Sequence, residues 1–409
     1  MDTIKISQTS KIKEVGIQLP SSKSESNRVL IINTLAGGES KLSNLSEARD
    51  TQTMIRLLEE NGETWNVGDA GTTMRFLTAY AAVTGKDKVL TGTPRMQERP
   101  IKLLVEALRT LGAEITYQKN EGYPPIHVKG ITEQLTDKLS IRGDVSSQYI
   151  SALLMIAPAL PKGLTLELIG TVNSRPYIDM TLNLLKIFGI KAVENENRIT
   201  IANQQFVPSS YTVESDWSGA SYWYGIVSLA KEAKITLKGL KKESLQGDSE
   251  VVEIMEKLGV KTTYIEGGLI LSKTDHVSEI SLDFATCPDL AQTIAVVCAA
   301  KGIICKMTGL QTLRIKETDR IAALQNELSK IGAILEETEY DKEWRLTPAP
   351  NDSWTSGTLT FDTYEDHRMA MAFAPLATCA NIIIEDPAVV AKSYPRYWDD
   401  LKEAGFIIS

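Results

Sequence analysis

Six stretches of this chain with helical spacing run out near a glycine, and five of them are followed by a short β-like segment. The breaks fall at 58–62, 111–112, 188–189, 258–259, 331–332 and 404–405. Amphipathic runs precede them, as at 101–111, 177–188 and 251–258, and β-like residues follow at 113–117, 190–193, 260–264, 333–336 and 406–409. Glycine just past a helix takes the left-handed C-cap conformation without steric cost. A recurrence of roughly 70 residues implies one supersecondary unit used repeatedly.

A second helix type recurs at 28–36, 72–83, 147–157, 218–229, 289–300 and 367–378. These stretches are rich in alanine and apolar nearly all round, as in 149–157 (YISALLMIA) and 290–300 (LAQTIAVVCAA). A helix without a polar face is a buried one. Short strands are expected after most of them, at 89–91, 164–169, 235–237, 303–307 and 382–385. The unit therefore reads buried helix, strand, charged loop, amphipathic helix, glycine, strand. With the helices inside, the sheets must lie outside, which makes an α+β fold. Three units would form one globule and three the other. The expected domains are 21–213, and 1–20 with 214–409, the strand at 3–6 joining the second by pairing with the last unit. Two chain crossings near residues 20 and 214 would form a hinge, and a cleft between domains is a frequent ligand site.

The 409 residues carry a net charge of −8, which argues against a general nucleic-acid or anionic-membrane surface. No apolar run approaches the roughly 20 residues of a membrane helix. Residues 1–20 are polar, without the apolar core of a signal peptide. Cys287, Cys298, Cys305 and Cys379 lie in apolar surroundings at no metal-like spacing, as expected of reduced thiols in a cytoplasmic protein. Against the acidic background, local basic clusters point to a pocket for a small anion: Lys23/Arg28, Arg75, Arg95/Arg99, Arg314/Lys316/Arg320, Arg368 and Lys392/Arg396. The ordinary alternative for most such residues is solvated surface charge.

The starts of the buried helices sharpen this. Ser, Thr, Asp and Asn there are explained by capping. Lys23, Arg28, Arg75 and Arg368 are not, because a cation in a first turn opposes the helix dipole. It becomes sensible with an anion in front of the helix, where free N–H groups also favour one. The charged loops before the amphipathic helices, at 94–100, 173–177, 314–320 and 391–396, add further cations. In the third of these, Lys316 and Arg320 with Glu317 could be no more than a surface ion-pair ladder, worth a few tenths of a kcal/mol.

At this point the residues resemble a family. Pro20-Ser21-Ser22-Lys23-Ser24-x-Ser26-Asn27-Arg28, Ala70-Gly71-Thr72-x-Met74-Arg75, Leu90-Thr91-Gly92-x-Pro94-Arg95-Met96-x-Glu98-Arg99-Pro100, Ser146-Ser147-Gln148, Arg314-x-Lys316-Glu317-Thr318-Asp319-Arg320 and Asp366-His367-Arg368-Met369-Ala370-Met371 are similar to the motifs of 5-enolpyruvylshikimate-3-phosphate synthases. The resemblance runs through the whole chain in order. It implies a two-domain inside-out α/β barrel of six βαβαββ repeats. It also implies transfer of the enolpyruvyl group of phosphoenolpyruvate to the 5-hydroxyl of shikimate 3-phosphate, releasing phosphate, on the route to chorismate. Neither metal nor organic cofactor is implied; the partners are the two small substrates, the protein a cytoplasmic monomer, and the family is the target of glyphosate.

Carried over by position, the resemblance gives Ser146, Ser147 and Ser174 to the 3-phosphate. Lys23, Ser24, Arg28, Gln148 and Lys316 would contact the shikimate body or its phosphate, with Tyr177 beside the ring. Arg99, Arg320, Arg368 and Lys392, with Lys23 and the Gly71 backbone, would hold phosphoenolpyruvate. Asp289 would take the hydroxyl proton and Glu317 would exchange protons at the methylene, so Asp289, Glu317 and Lys23 form the catalytic set. This chain departs from the pattern at Asp69, beside Gly71, where the family has Asn; at Phe76, where it often has Pro; and at Thr312, which replaces an Asn near the shikimate phosphate. The sister transferase acting on UDP-N-acetylglucosamine shares the fold, but 95–98 lacks its loop Cys or Asp. A non-catalytic anion-binding protein would have no need of Asp289 and Glu317 beside the cations, and a nucleic-acid end-processing enzyme would need a nucleophilic His.

Overall fold

The computed structural model describes residues 2–409. The chain divides into two compact units, one from the N-terminus to Pro20 together with Glu214–Ser409, the other Ser21–Val213. In chain order the elements begin with β1 (Thr3–Ile6) and β2 (Val15–Gln18) in the first unit. The second unit then runs α1 (Lys23–Leu35), β3 (Leu42–Ser43), α2 (Arg49–Glu59), β4 (Thr64–Asn66), α3 (Gly71–Thr84), β5 (Lys88–Thr91), α4 (Pro94–Gln97), α5 (Lys102–Leu111), β6 (Ala113–Tyr117) and β7 (Ile126–Ile131). It closes with β8 (Lys138–Arg142), α6 (Ser147–Ile156), β9 (Leu164–Ile169), α7 (Arg175–Ile187), β10 (Ala192–Asn195), β11 (Arg198–Ile201) and β12 (Tyr211–Thr212). The chain returns to the first unit with α8 (Trp217–Leu229), β13 (Lys234–Lys238), α9 (Val251–Lys257), β14 (Leu258–Ile265), β15 (Gly268–His276), β16 (Glu279–Asp283), α10 (Ala291–Lys301) and β17 (Ile304–Thr308). It ends with α11 (Arg320–Ser329), β18 (Ile334–Glu339), β19 (Glu343–Thr347), β20 (Thr358–Phe361), α12 (His367–Phe373), β21 (Asn381–Glu385) and α13 (Tyr397–Glu403).

Four sheets share one topology, a parallel pair followed by two antiparallel pairings: β4-β5-β7-β6 and β8-β9-β11-β10 in the second unit, β2-β13-β15-β14 and β16-β17-β19-β18 in the first. A fifth repeats it with borrowed chain. β20 pairs parallel with β21, β1 joins β21 antiparallel, and the C-terminal residues bridge to β1 at Ile6 and Ile408. The sixth is abbreviated to the parallel pair β12–β3, and α2 leads straight into β4 with no hairpin.

The physical reason lies at the breaks. Glycines 112, 189, 259, 332 and 405 all have φ between 74° and 109°, the left-handed turn that lets a helix reverse into a strand. At Gly112 a Cβ would also strike the Glu133 carbonyl. Gly62 is not in that region; α2 ends instead at Glu60, in extended conformation, so the sixth break is not a glycine cap. The return strands β7, β11, β15 and β19 had no counterpart in the residue pattern.

The alanine-rich helices are buried, α8 along its whole length. In the second unit α1, α3 and α6 pack on one another, and in the first α8, α10 and α12 do so. Two sequence expectations need correction. α1 begins at Lys23, not near residue 28, because Ser22 caps it by accepting from the Glu25 N–H at 3.4 Å. Lys316 and Arg320 do not share a helix face: α11 starts at Arg320, capped by Asp319, and Lys316 lies in irregular backbone before it. Arg320 is buried rather than part of a surface ladder.

Candidate active site

In the second unit the cations gather at helix starts. The Lys23 ammonium, on the first residue of α1, lies 3.4 Å from the buried Asp50 carboxylate on α2. Arg28 sits one turn further in and is only 2% exposed. Its Nε donates to Thr181 Oγ1 at 2.9 Å, Nη1 to the Ser24 carbonyl at 2.9 Å and Nη2 to Ser151 Oγ at 3.1 Å. The guanidinium is flanked by the rings of Phe76 and Tyr177, 5.3 and 5.6 Å from their centroids. Burial pulls its pKa down to about 10, with Tyr177 and Glu25 acting the other way, so it stays charged at neutral pH. Phe76, fully buried, thus packs against Arg28.

No side chain caps α3, whose N-cap is Ala70. Gly71 begins the helix, and a Cβ there would lie 2.7 Å from Arg75 Nη1 and 2.8 and 2.9 Å from the two terminal nitrogens of Arg99. Two guanidiniums therefore pack against an uncapped helix start, where N–H groups point outward. Arg75 is anchored from behind, Nη1 to the Gly71 carbonyl at 2.9 Å and Nη2 to the Pro100 carbonyl at 3.1 Å. Like Arg28, it turns back to the carbonyl four residues earlier, which explains a cation early in a helix without an anion. The Asp69 carboxylate pairs with Arg49 at 2.8 Å instead of capping α3, so its charge is answered locally. Ser146 caps α6, accepting from the Gln148 N–H at 3.4 Å, and Gln148 Nε2 reaches Thr72 Oγ1 at 3.2 Å, tying the α6 and α3 starts together. Ser147 is the first residue of α6, and Ser174 precedes α7 in the left-handed region at φ 54°. That conformation costs a non-glycine residue on the order of 1–3 kcal/mol and concentrates at functional sites.

The first unit holds a tighter constellation. Arg320 donates from Nε to Asp366 Oδ2 at 2.7 Å, from Nη1 to Asp289 Oδ1 at 3.1 Å and from Nη2 to Glu317 Oε2 at 2.8 Å. Arg368 reaches Asp289 Oδ2 at 2.9 Å, and Lys392 lies 3.5 Å from Glu317 Oε1. Asp289 therefore has a guanidinium on each oxygen. Burial alone would raise its pKa, but the charges of Arg368, Lys316 and Arg320 outweigh that and hold the carboxyl far below the usual range. The same field raises Arg320 against its own burial, through Asp366, Glu317 and Asp289. Lys316 is pushed down by burial, partly offset by Asp289. Thr312 lies in the turn before Lys316, its buried hydroxyl without a hydrogen-bond partner among the described residues.

Sequence reasoning missed Asp366 as a ligand of Arg320. The residue doubles as the cap of α12, accepting from the Arg368 N–H at 2.9 Å, and capping alone was enough to explain an aspartate there. It also missed the buried Asp50 on α2 and the buried Asp248. Asp216 and Ser221 serve the fold: Asp216 caps α8, and Ser221 bonds the Ser218 carbonyl at 2.7 Å.

An uncapped helix start faced by two arginines, and an ionised carboxylate held between cations, fit an enzyme that handles small phosphorylated or carboxylated molecules. The family model described as EPSP synthase (3-phosphoshikimate 1-carboxyvinyltransferase) matches residues 7–67 and 58–401. A 3-phosphoshikimate 1-carboxyvinyltransferase of Bacteroides fragilis is 50% identical over 405 residues, 98% of this chain and 97% of that protein. One of Aliivibrio fischeri is 37% identical over 437 aligned positions, covering 98% and 99%. A solved EPSP synthase of Acinetobacter baumannii superposes with TM-score 0.79 over 100% of both chains at 20% identity, a likeness of fold. The chain belongs to the EPSP synthase family.

Proposed function

We propose that this chain joins phosphoenolpyruvate to shikimate 3-phosphate with the residues described above in the roles their positions suggest. The chain transfers the enolpyruvyl group to the 5-hydroxyl and releases inorganic phosphate, a step of the shikimate pathway. Arg320, Arg368, Lys392, Arg99, Lys23 and the Gly71 N–H hold the phosphate and carboxylate of phosphoenolpyruvate. Ser146, Ser147 and Ser174 take the 3-phosphate; Ser24, Arg28, Gln148, Thr312, Lys316 and Tyr177 surround the rest of the acceptor. Arg28 acts chiefly from beneath, through its hold on the Ser24 backbone and its contact with Tyr177.

In the addition step the 5-oxygen bonds to C2 of phosphoenolpyruvate, its proton passes to Asp289, and the methylene takes a proton from Glu317 or Lys23. In the elimination step the methyl returns a proton to the group that supplied it, the C2–O bond to phosphate breaks, the proton held by Asp289 leaves with the phosphate, and the product enol ether forms. Asp289 and Glu317 touch the cations that bind the leaving phosphate, so both proton transfer and charge stabilisation draw on one cluster.

The observation that carries this reading is the pair of guanidiniums on Asp289. A carboxylate so held is a poor base. It becomes a competent one when an anionic substrate takes Arg368 away, which ties proton abstraction to substrate occupancy. The finer architecture fits the same proposal: six units with helices inside and sheets outside, one of them reduced to a parallel strand pair. The protein works as a cytoplasmic monomer. Phosphate release from phosphoenolpyruvate and shikimate 3-phosphate tests the function. No release, or equal release with UDP-N-acetylglucosamine as acceptor, would sink it.

A further inference from the structure

The Arg368 nitrogen that grips the Asp289 carboxylate also heads a chain of groups outside the roles assigned above. Arg368 Nη2 is 3.4 Å from Ser218 Oγ on α8, and Nη1 is 3.3 Å from the Tyr222 hydroxyl and 3.4 Å from the Asp289 carbonyl. The Ser218 hydroxyl in turn donates to Asp248 Oδ2 in a short hydrogen bond. Asp248 is 4% exposed, sits in the turn Gly247–Glu250 ahead of α9, and its Oδ1 has no hydrogen-bond partner among the described residues. A buried carboxylate with one empty oxygen and no ion pair of its own is expensive for a fold to keep. Among the described residues its side-chain hydrogen bond runs through one hydroxyl to a guanidinium.

We infer that Asp248 and Ser218 form a positioning relay for Arg368, in which the ionised Asp248 fixes the Ser218 hydrogen towards itself and leaves the Ser218 oxygen free to accept from the guanidinium. The relay rests on the assignment of Arg368 to phosphoenolpyruvate. It holds the arginine in place when substrate draws it off the Asp289 carboxylate. A proton on Asp248 removes the charge that holds the Ser218 hydrogen towards the carboxylate, so the hydroxyl is no longer fixed with its oxygen presented to Nη2. The groups facing Asp248 are Asp289, Arg368, Asp216 and the Cys287 thiol. Burial first, then the Asp289 charge, raises Asp248 to about 7, against the pull of Arg368 and the Ser218 bond. The relay therefore operates above neutral pH and disengages below it.

The test is steady-state kinetics of the full chain from pH 5.5 to 8.5, with each substrate varied in turn, for wild type, Asp248→Asn, Ser218→Ala and Arg368→Ala. Loss of one hydrogen bond to the arginine should raise KM for phosphoenolpyruvate roughly 3- to 10-fold at pH 8 in either relay variant, with KM for shikimate 3-phosphate unchanged. For Asp248→Asn the ratio to wild type should fall towards one below pH 6, where wild-type Asp248 is itself neutral; taking the ratio cancels the titration of the substrate. A pH-independent ratio, or equal loss with both substrates, would assign Asp248 to the fold alone and overturn the relay. If Arg368→Ala weakens phosphoenolpyruvate while both relay variants behave as wild type, only the relay fails. If Arg368→Ala leaves phosphoenolpyruvate untouched, the underlying assignment fails and takes the relay with it.

Discussion

Replacing Asp289 by Asn separates two roles that sit on one side chain. The carboxylate is the proposed base, and in the free enzyme it also occupies two arginines that the substrate must engage. Loss of a positioned base costs typically 10²–10⁴-fold in rate, so kcat should fall at least about 100-fold. Binding should move the other way. Asp289 Oδ2 holds Arg368 at 2.9 Å and Oδ1 holds Arg320 at 3.1 Å. A hydrogen bond to a charged group contributes about 1.5–3 kcal/mol, and an amide retains part of it through its one oxygen. Relieving about 1 kcal/mol of competition corresponds to roughly 5-fold tighter phosphoenolpyruvate binding. Stability should drop, because breaking a buried ion pair costs about 3–5 kcal/mol. The upper part of that range does not apply, since Arg320 keeps Asp366 and Glu317.

The pH sign follows from the depressed carboxyl. A folded pKa below the unfolded value gives stability that is present above about 3.9 and lost only as pH falls through the folded value. Asp289 itself therefore adds no pH dependence between pH 5 and 8; a slope of the stability difference in that window reports Asp248, which loses the Asp289 charge that raises it. The assay is direct phosphoenolpyruvate binding by calorimetry beside single-turnover rates. A variant that binds phosphoenolpyruvate more weakly than wild type would refute the argument, because Asp289 would then be organising the arginines rather than competing for them.

Other perturbations probe neighbouring parts. Gly71→Ala places a methyl 2.7–2.9 Å from Arg75 and Arg99, so KM for phosphoenolpyruvate should rise several-fold while circular dichroism stays unchanged. Arg28→Lys cannot reproduce three divergent hydrogen bonds to Thr181, Ser24 and Ser151; thermal melts should show a loss of about 2–4 kcal/mol, and KM for shikimate 3-phosphate should rise. Asp248→Asn should be more stable relative to wild type at pH 8 than at pH 5. A carboxyl raised to about 7 contributes stability below its unfolded value that is lost as pH climbs through 7. Buried Cys287, Cys298 and Cys305 should resist alkylation until unfolding; burial raises Cys287, and a hydrogen bond with Cys305 followed by burial raises Cys298.

What the sequence disclosed and what it hid follow one physical division. Periodicity reports burial, so the alanine-rich helices and the five left-handed glycines could be read directly from their spacing. The return strands could not, because a strand such as Arg198–Ile201 is four residues with two buried, too short for alternation to rise above chance. At the site, cations without a local partner were conspicuous, since a first-turn lysine or arginine has no ordinary excuse. Their buried anionic partners were not. Asp366 and Asp50 occupy positions where an aspartate is already welcome, as a cap and as a first-turn acid. A residue with two jobs shows in the sequence only the commoner one. The Arg28 and Arg75 side chains illustrate the converse, because both satisfied their charge with carbonyls four residues back, a contact that composition cannot reveal. Lys23, Arg99 and Arg368 stand on the outermost turns and loops, Lys23 facing Asp50 and Arg368 facing Asp289, and under the proposed function they are the side chains whose removal should weaken phosphoenolpyruvate most.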